Sequence, residues 1–292
     1  MAINLDEQEY FYGHKGCAGC GGSLAVRLAL KTLGKNTFVV VPAGCMSAVS
    51  FVYPQLCFGV NALISPFAST AAMLSGVSVA AKALGYKDVN VVGFAGDGGT
   101  ADIGLQALSG AIDRDDKIIY ICYDNEAYMN TGVQQSSLTP YGSKTTTSPA
   151  GERIHGSANV KKDMFDIVAA HKIKYAATAS LGNIPDYIRK IEKASKIQGT
   201  SYIHVAAPCP TGWGVASSDT IAIAKEAIEC GLWYLAEYEE GQYRLNKEVR
   251  AFASVKDYLK KQTRFKHLTN EDIVIIEKQR DTKWEALRKA LN

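Results

Sequence analysis

No stretch of this 292-residue chain approaches the roughly 18 to 20 uninterrupted apolar residues that a bilayer-spanning helix needs, so a membrane protein is not expected. The first residues, Met1 to Gly13, are acidic and polar, with neither a basic start nor an apolar stretch after it. No secretory leader is expected, and the cytoplasm is the expected location. Internal repeats and low-complexity tracts are missing from the sequence as well. An excess of one charge is also lacking: 32 Lys and Arg against 29 Asp and Glu leave +3, too balanced to suggest nucleic-acid binding overall. With 47% hydrophobic and 21% charged residues the composition is that of a globular protein, which argues against disorder.

The small net charge is unevenly spread. Arg244 to Asn292 holds 13 basic and 7 acidic residues, a local +6, and the preceding 243 residues carry 19 against 22, or −3. A basic tail on a nearly neutral body could dock on an acidic partner or form a solvated helical surface.

Five near-continuous apolar runs read as buried strands: Thr37 to Pro42, Asn90 to Phe94, Lys117 to Tyr123, Lys174 to Ala179 and Ser201 to Ala206. Runs of this kind suit a parallel sheet covered on both faces. Helical patterns at Ser23 to Leu33, Thr70 to Leu84, Ile103 to Asp113, Ile184 to Lys193 and Thr220 to Leu235 alternate with them. Strand–helix alternation predicts a doubly wound α/β sandwich. Two regions break the rhythm. Asn130 to Ala158 is polar and dense in Ser, Thr and Gly, and a loop of that length is usually functional. The tail predicts charged helices at Ser254 to Lys261 and Glu271 to Leu291, outside the sandwich.

Seven cysteines is an odd number, and disulfides are disfavoured in a cytosolic chain. Cys17 and Cys20 form a C-x-x-C flanked by Gly16, Gly21 and Gly22. Two thiolates at that spacing can converge on zinc, on an iron–sulfur cluster, or act as a redox dithiol. Cys45 follows Ala43-Gly44 at the carboxyl end of the first strand, where open α/β sheets place their sites. Cys209 lies between two prolines after the last strand, in a stiffened turn. These four could form one four-thiolate site, whereas Cys57, Cys122 and Cys230 sit in apolar surroundings and read as packing residues.

Gly96-Asp97-Gly98-Gly99 closes the second strand, and Asp124-Asn125 closes the third. Hard oxygen ligands from Asp97 and Asn125, together with a diphosphate, suit an octahedral Mg²⁺. The glycines allow backbone N–H groups to approach phosphate. Both segments can also be read as tight turns. A G-x-G-x-x-G dinucleotide loop is not formed by Gly93, Gly96 and Gly98.

The segments GHKGCAGCGG (13–22), AGC (43–45), GDGGTADIG (96–104), DNEAYMNTGVQQSS (124–137), TTTSPAG (145–151) and APCPTGW (207–213) occur together and in order. Over about residues 10–240 the chain resembles the β subunit of 2-oxoacid:ferredoxin oxidoreductases, most of all the pyruvate (pyruvate synthase) branch. The resemblance implies an α/β three-layer sandwich with a mostly parallel sheet, the thiamin diphosphate-binding fold, over residues 1–240. Residues 241–292 would be a C-terminal charged helical arm. It further implies thiamin diphosphate, Mg²⁺, one [4Fe-4S] cluster, CoA as co-substrate, and oxidative decarboxylation of a 2-oxoacid to an acyl-CoA.

Carried over by motif, Cys17, Cys20, Cys45 and Cys209 would hold the cluster. Asp97 and Asn125 would ligate Mg²⁺ by side chain and Ala127 by its carbonyl. Ala43, Gly44, Met46, Gly96, Gly98, Gly99 and Met129 would line the cofactor, and Asn130 resembles a residue that reaches the substrate. The expected partners are α-, γ- and δ-type subunits of one complex, with ferredoxin as electron acceptor. The carboxylate that activates the cofactor is expected on a separate subunit. One departure stands out. Some family members have a histidine where this chain reads Ile64-Ser65-Pro66-Phe67. His14 reads as a structural group near Cys17 rather than as a catalyst. Pyruvate is the leading substrate; oxalate, phenylglyoxylate, branched-chain 2-oxoacids and 2-oxoglutarate are alternatives. A non-redox thiamin enzyme with structural zinc and a non-catalytic cluster-holding subunit are the competing readings.

Overall fold

The computed structural model describes residues 5–151 and 155–291; the ends at 1–4 and 292, and positions 152–154 of the expected irregular stretch, lie outside the described residues. The chain opens with α1 (Gly21–Leu33), β1 (Thr37–Pro42) and α2 (Cys45–Ser50), then a small hairpin of β2 (Phe51–Val52) and β3 (Gln55–Leu56). β4 (Asn61–Ser65), α3 (Thr70–Ala83), β5 (Asn90–Gly96), α4 (Asp97–Ala101) and α5 (Leu105–Asp113) lead to β6 (Ile119–Asp124). After the long irregular stretch come α6 (Met164–Ala170), β7 (Tyr175–Ser180), α7 (Ile184–Lys196), β8 (Ser201–Ala206) and α8 (Pro210–Trp213). The remainder holds α9 (Thr220–Glu229), the strands β9 (Ala236–Glu239) and β10 (Gln242–Leu245), and the helices α10 (Val255–Lys260) and α11 (Asn270–Ala290).

Eight strands form one sheet in the order β10-β9-β7-β8-β6-β5-β1-β4. Pairing is parallel from β7 to β4; β9 and β10 add an antiparallel margin. One face buries α1 and α7 side chains such as Ala25, Leu30, Tyr187 and Ile191. The other buries Leu74 of α3, Leu108 of α5 and Phe165 of α6. The result is the three-layer sandwich that continuous apolar strands require, because each sheet face must be covered to keep the strands dry. A third apolar cluster joins Trp213 and Ile223 to Tyr258, Phe265 and Ile276, so the C-terminal helices have their own packed contact with the body.

Among the departures from the pattern read in the sequence, three stand near the motif-bearing elements. The helix expected over Thr220 to Leu235 stops at Glu229, because Gly231 takes φ +78, a left-handed conformation that ends helices. The chain then turns into β9. β4 is an additional edge strand, largely exposed, so it does not form the continuous apolar run of a buried strand. The helix expected from Ile103 begins at Leu105, and Asp97 to Ala101 form a separate helical turn directly after β5.

Between β1 and β5 the chain changes direction across the sheet: from β1 it goes out to β4 on one side, then to β5 and β6 on the other. Such a switch opens a crevice at the carboxyl ends of the strands. The register puts Gly96 beside Tyr123, Asp124 beside Ala206 and Pro42 beside Ser65. Four motif-bearing loops therefore leave the same edge of the sheet.

Candidate active site

The three oxygen-bearing groups singled out as Mg²⁺ ligands converge. One terminal atom of the Asn125 side chain lies 3.0 Å from Asp97 Oδ1 and 2.9 Å from the Ala127 carbonyl oxygen. With the amide nitrogen there, both are hydrogen bonds. With the amide oxygen there, it stands 3.0 and 2.9 Å from those two oxygens, near the edge length of an octahedron whose metal–oxygen distance is about 2.0 to 2.1 Å. This donor set fits Mg²⁺ held by few protein ligands. Asp97 is fully buried, and burial followed by the nearby Asp124 raises its pKa well above the usual carboxylate range. A carboxylate in that position gains from a cation. Ser136, from the long irregular stretch, donates to Asp97 Oδ2.

The glycines of this loop are there because neighbours crowd them. A Cβ on Gly98 would lie 2.4 Å from the Tyr128 ring, and one on Gly99 would lie 3.1 Å from Phe67. Phe67 belongs to the segment where a histidine was missing, so that segment does face the site and presents an apolar ring. Gly96 and Gly44 are half-buried, Met46 is buried, and Ala43 and Asn130 are exposed. Met129 packs on the turn after Cys209, where a Cβ on Gly212 would come 2.2 Å from its sulfur.

The four singled-out cysteines surround one region. The Cys45 thiol is pushed up to about 12 by burial and then by Cys209, Cys20, Asp97 and Cys17 in turn. The C-x-x-C loop is seated on the loop of Cys209: Gly21 N–H donates to Pro208 O at 3.1 Å, and Thr220 Oγ1 donates to Gly19 O at 2.6 Å. Cys20 and Cys209 each cap a helix, accepting from Ser23 N–H at 3.4 Å and Gly212 N–H at 3.3 Å. Such N–H···S bonds favour a thiolate. Among the described residues no three His, Cys, Asp or Glu side chains close around a single ion. A tetrahedral zinc would need four sulfurs about 2.3 Å from one point, whereas a four-iron cluster is a larger body held by four thiolates. Cys57, Cys122 and Cys230 are buried as expected.

Several residues of the site carried no motif. Tyr123 is buried where a Cβ on Gly22 or Gly96 would meet its ring at 3.3 or 3.4 Å, and its phenol is raised by burial, Cys45 and Asp97. It thus adjoins both the cysteine region and the Asp97 region. Behind Asn125 runs a buried charge network. Asp124 Oδ2 meets His204 Nε2 at 2.9 Å and Lys161 Nζ at 2.7 Å, and Lys161 continues to Glu126 at 2.6 Å. Burial opposes the charge on Asp124, but Lys161 and His204 hold its pKa below the usual range. Arg264, from the basic tail, closes the network on Glu126 at 2.5 Å. His204 carries a faint signal as the one histidine of an apolar strand; Lys161 and Arg264 carry none. A cavity of about 780 Å³ lies under α11, lined by this network (Asp124, Glu126, Lys161, His204 and Arg264) and by Trp213; none of the four singled-out cysteines and none of Asp97, Asn125 and Ala127 lines it.

Comparison with known proteins bears on this arrangement. Residues 42–205 match the family described as thiamine pyrophosphate enzyme, C-terminal TPP binding domain. A pyruvate synthase subunit, PorB, of Methanothermobacter thermautotrophicus is 48% identical over 98% of this chain and 100% of its own. A ketoisovalerate oxidoreductase subunit, VorB, of Pyrococcus abyssi is 47% identical over 97% of this chain and 93% of its own. Among solved structures, the 2-oxoglutarate:ferredoxin oxidoreductase of Magnetococcus marinus, with 2-oxoglutarate, coenzyme A and succinyl-CoA bound, superposes with a TM-score of 0.59. It covers 72% of each chain at 21% identity, a likeness of fold.

Proposed function

The chain belongs to the β subunits of 2-oxoacid:ferredoxin oxidoreductases, a thiamin diphosphate family, and from that premise we propose that it carries the cofactor and first electron acceptor of a CoA-dependent 2-oxoacid oxidoreductase. Pyruvate is the favoured substrate, with CoA receiving the acyl group and ferredoxin the electrons. When bound, thiamin diphosphate would supply the thiazolium that takes up the electron pair released with CO₂, and a [4Fe-4S] cluster would supply a one-electron acceptor.

The observation that carries this reading is the approach of the Asn125 side chain to Asp97 and the Ala127 carbonyl at 3.0 and 2.9 Å, beside the buried Tyr123 that also adjoins Cys45. Asp97, Asn125 and the Ala127 carbonyl would hold Mg²⁺ against the diphosphate, whose oxygens Gly98 and Gly99 can approach. Cys17, Cys20, Cys45 and Cys209 would hold the cluster. Ala43, Gly44, Met46, Gly96 and Met129 would bound the cofactor, and Asn130, exposed beside them, is free to reach a substrate. The binding unit expected over residues 1–240 would extend through β10, which pairs with β9, and the helices that follow would form the arm. The remaining site would come from α-, γ- and δ-type partner subunits, in keeping with the subunit names of the relatives.

The Phe67 ring beside Gly99 supports a 2-oxoacid with an apolar side chain. A branched-chain 2-oxoacid is the second reading, favoured by the VorB relatives at 47% identity. Assaying the purified complex against a panel of 2-oxoacids with CoA and ferredoxin tests both. Highest kcat/KM on pyruvate supports the first reading; preference for 2-oxoisovalerate selects the second, and no turnover on any 2-oxoacid overturns both.

A further inference from the structure

Arg264 is 5% exposed, yet it comes from the most basic part of the sequence, where a solvated position was one of the two expectations. Its guanidinium lies 3.9 Å over the Trp213 ring, and Trp213 Nε1 donates to the Asn125 carbonyl at 2.8 Å. Its Nε and Nη2 are taken by Gln262 and Glu126. Its Nη1 is buried and has no hydrogen-bond partner among the described residues. Leaving a charged donor buried and unpaired is costly, so a group that accepts from it is expected. Trp213 ends the short helix α8 that Cys209 caps, four positions after it, and Cys209 packs in the same apolar cluster as Trp213 and Phe265.

We propose that Arg264 is an electrostatic positioning residue of the redox centre: it braces the Cys209 turn against the Asn125 loop and raises the reduction potential of the cluster held there. This rests on the cluster assigned under the proposed function. Reduction adds negative charge at the sulfurs, and a guanidinium held nearby stabilises the reduced form. A buried unit charge close to a ligand sulfur, at an effective dielectric of about 20, shifts a one-electron equilibrium on the order of tenfold. Tenfold corresponds to about 59 mV. Glu126, Lys161, Asp124 and His204 are the other ionisable groups on this side, and Glu126 is the one whose charge directly opposes Arg264.

The test is an EPR-monitored redox titration of the assembled complex, following the signal that disappears in Cys209→Ser. Arg264→Gln is expected to make reduction about tenfold harder. Glu126→Gln is expected to shift it in the opposite sense, and Arg264→Lys to stay nearer wild type than Arg264→Gln. Opposite signs for the two charge removals cannot come from mere loosening of the fold. If Arg264→Gln fails to hold a cluster, the sign in Glu126→Gln decides. A potential unchanged in both glutamine variants, or lowered in both, overturns the proposal. Wild-type complex without any signal dependent on Cys209 would instead remove the proposed function itself.

Discussion

Gly21→Ala adds one carbon at the seam between the two cysteine-bearing loops. A Cβ there would lie 2.6 Å from Pro208 O and 2.7 Å from the Ala207 carbonyl carbon, both backbone atoms that no rotamer change can move. Ordinary contact begins at 3.4 Å, so the loop of Cys17 and Cys20 must retreat from the loop of Cys209 by 3.4 − 2.6 = 0.8 Å. Overpacking of this kind costs about 1 to 3 kcal/mol. Loss of the Gly21 N–H to Pro208 O hydrogen bond adds about 0.5 to 1.5 kcal/mol. The sheet and its faces lie away from the seam and should survive. The expected outcome is a folded complex with reduced iron per chain and a lowered melting temperature. Iron content and thermal melting, measured on the anaerobically purified variant, check it. Full iron content with an unchanged melting temperature would refute the idea that this close approach is what brings the sulfurs together.

Cys209→Ser should lose the iron–sulfur absorbance, while Cys122→Ser, buried in β6, should keep it; the visible spectra of the two purified complexes distinguish the outcomes. Asp97→Asn should abolish Mg²⁺-dependent retention of thiamin diphosphate without destabilising the unliganded protein, since it removes a buried charge whose pKa burial and Asp124 raise; equilibrium dialysis and melting check each half. Glu9 is held at about 2 by Arg27 and Lys31. Its folded pKa is depressed, so its contribution is present above the unfolded value near 4.5 and fades as pH falls toward 2. Glu9 is partly exposed, so Glu9→Gln should cost less than about 1 kcal/mol at pH 7, with the difference shrinking across that window in denaturant titrations.

The sheet was legible because β1, β6 and β8 are apolar on both faces, a pattern a buried parallel strand imposes. β4 and β10 were not, because each has an exposed side and neither stands out from a loop. The site was legible wherever close backbone approach demanded glycine, as at Gly21 and Gly98, or wherever sulfur and carboxylate types recurred at strand ends. Tyr123 was hidden inside an apolar strand, where a tyrosine reads as packing. Arg264 was hidden by its context, one cation in a tail of them. That tail also turns other charges inward: Lys283 pairs with Asp163 at 2.7 Å and Asp166 at 2.6 Å, and Arg280 lies over Phe252. Part of its basic character thus serves attachment to its own body, which local composition does not reveal.

The central claim is that a thiamin diphosphate site and an iron–sulfur acceptor share one edge of one sheet. The most direct test is EPR of the anaerobically isolated complex, frozen after pyruvate is added. The account predicts a reduced-cluster signal that vanishes in both Cys209→Ser and Asp97→Asn. A signal that persists without Cys209, or a wild-type complex that pyruvate leaves fully oxidised and that no other 2-oxoacid reduces, would contradict it.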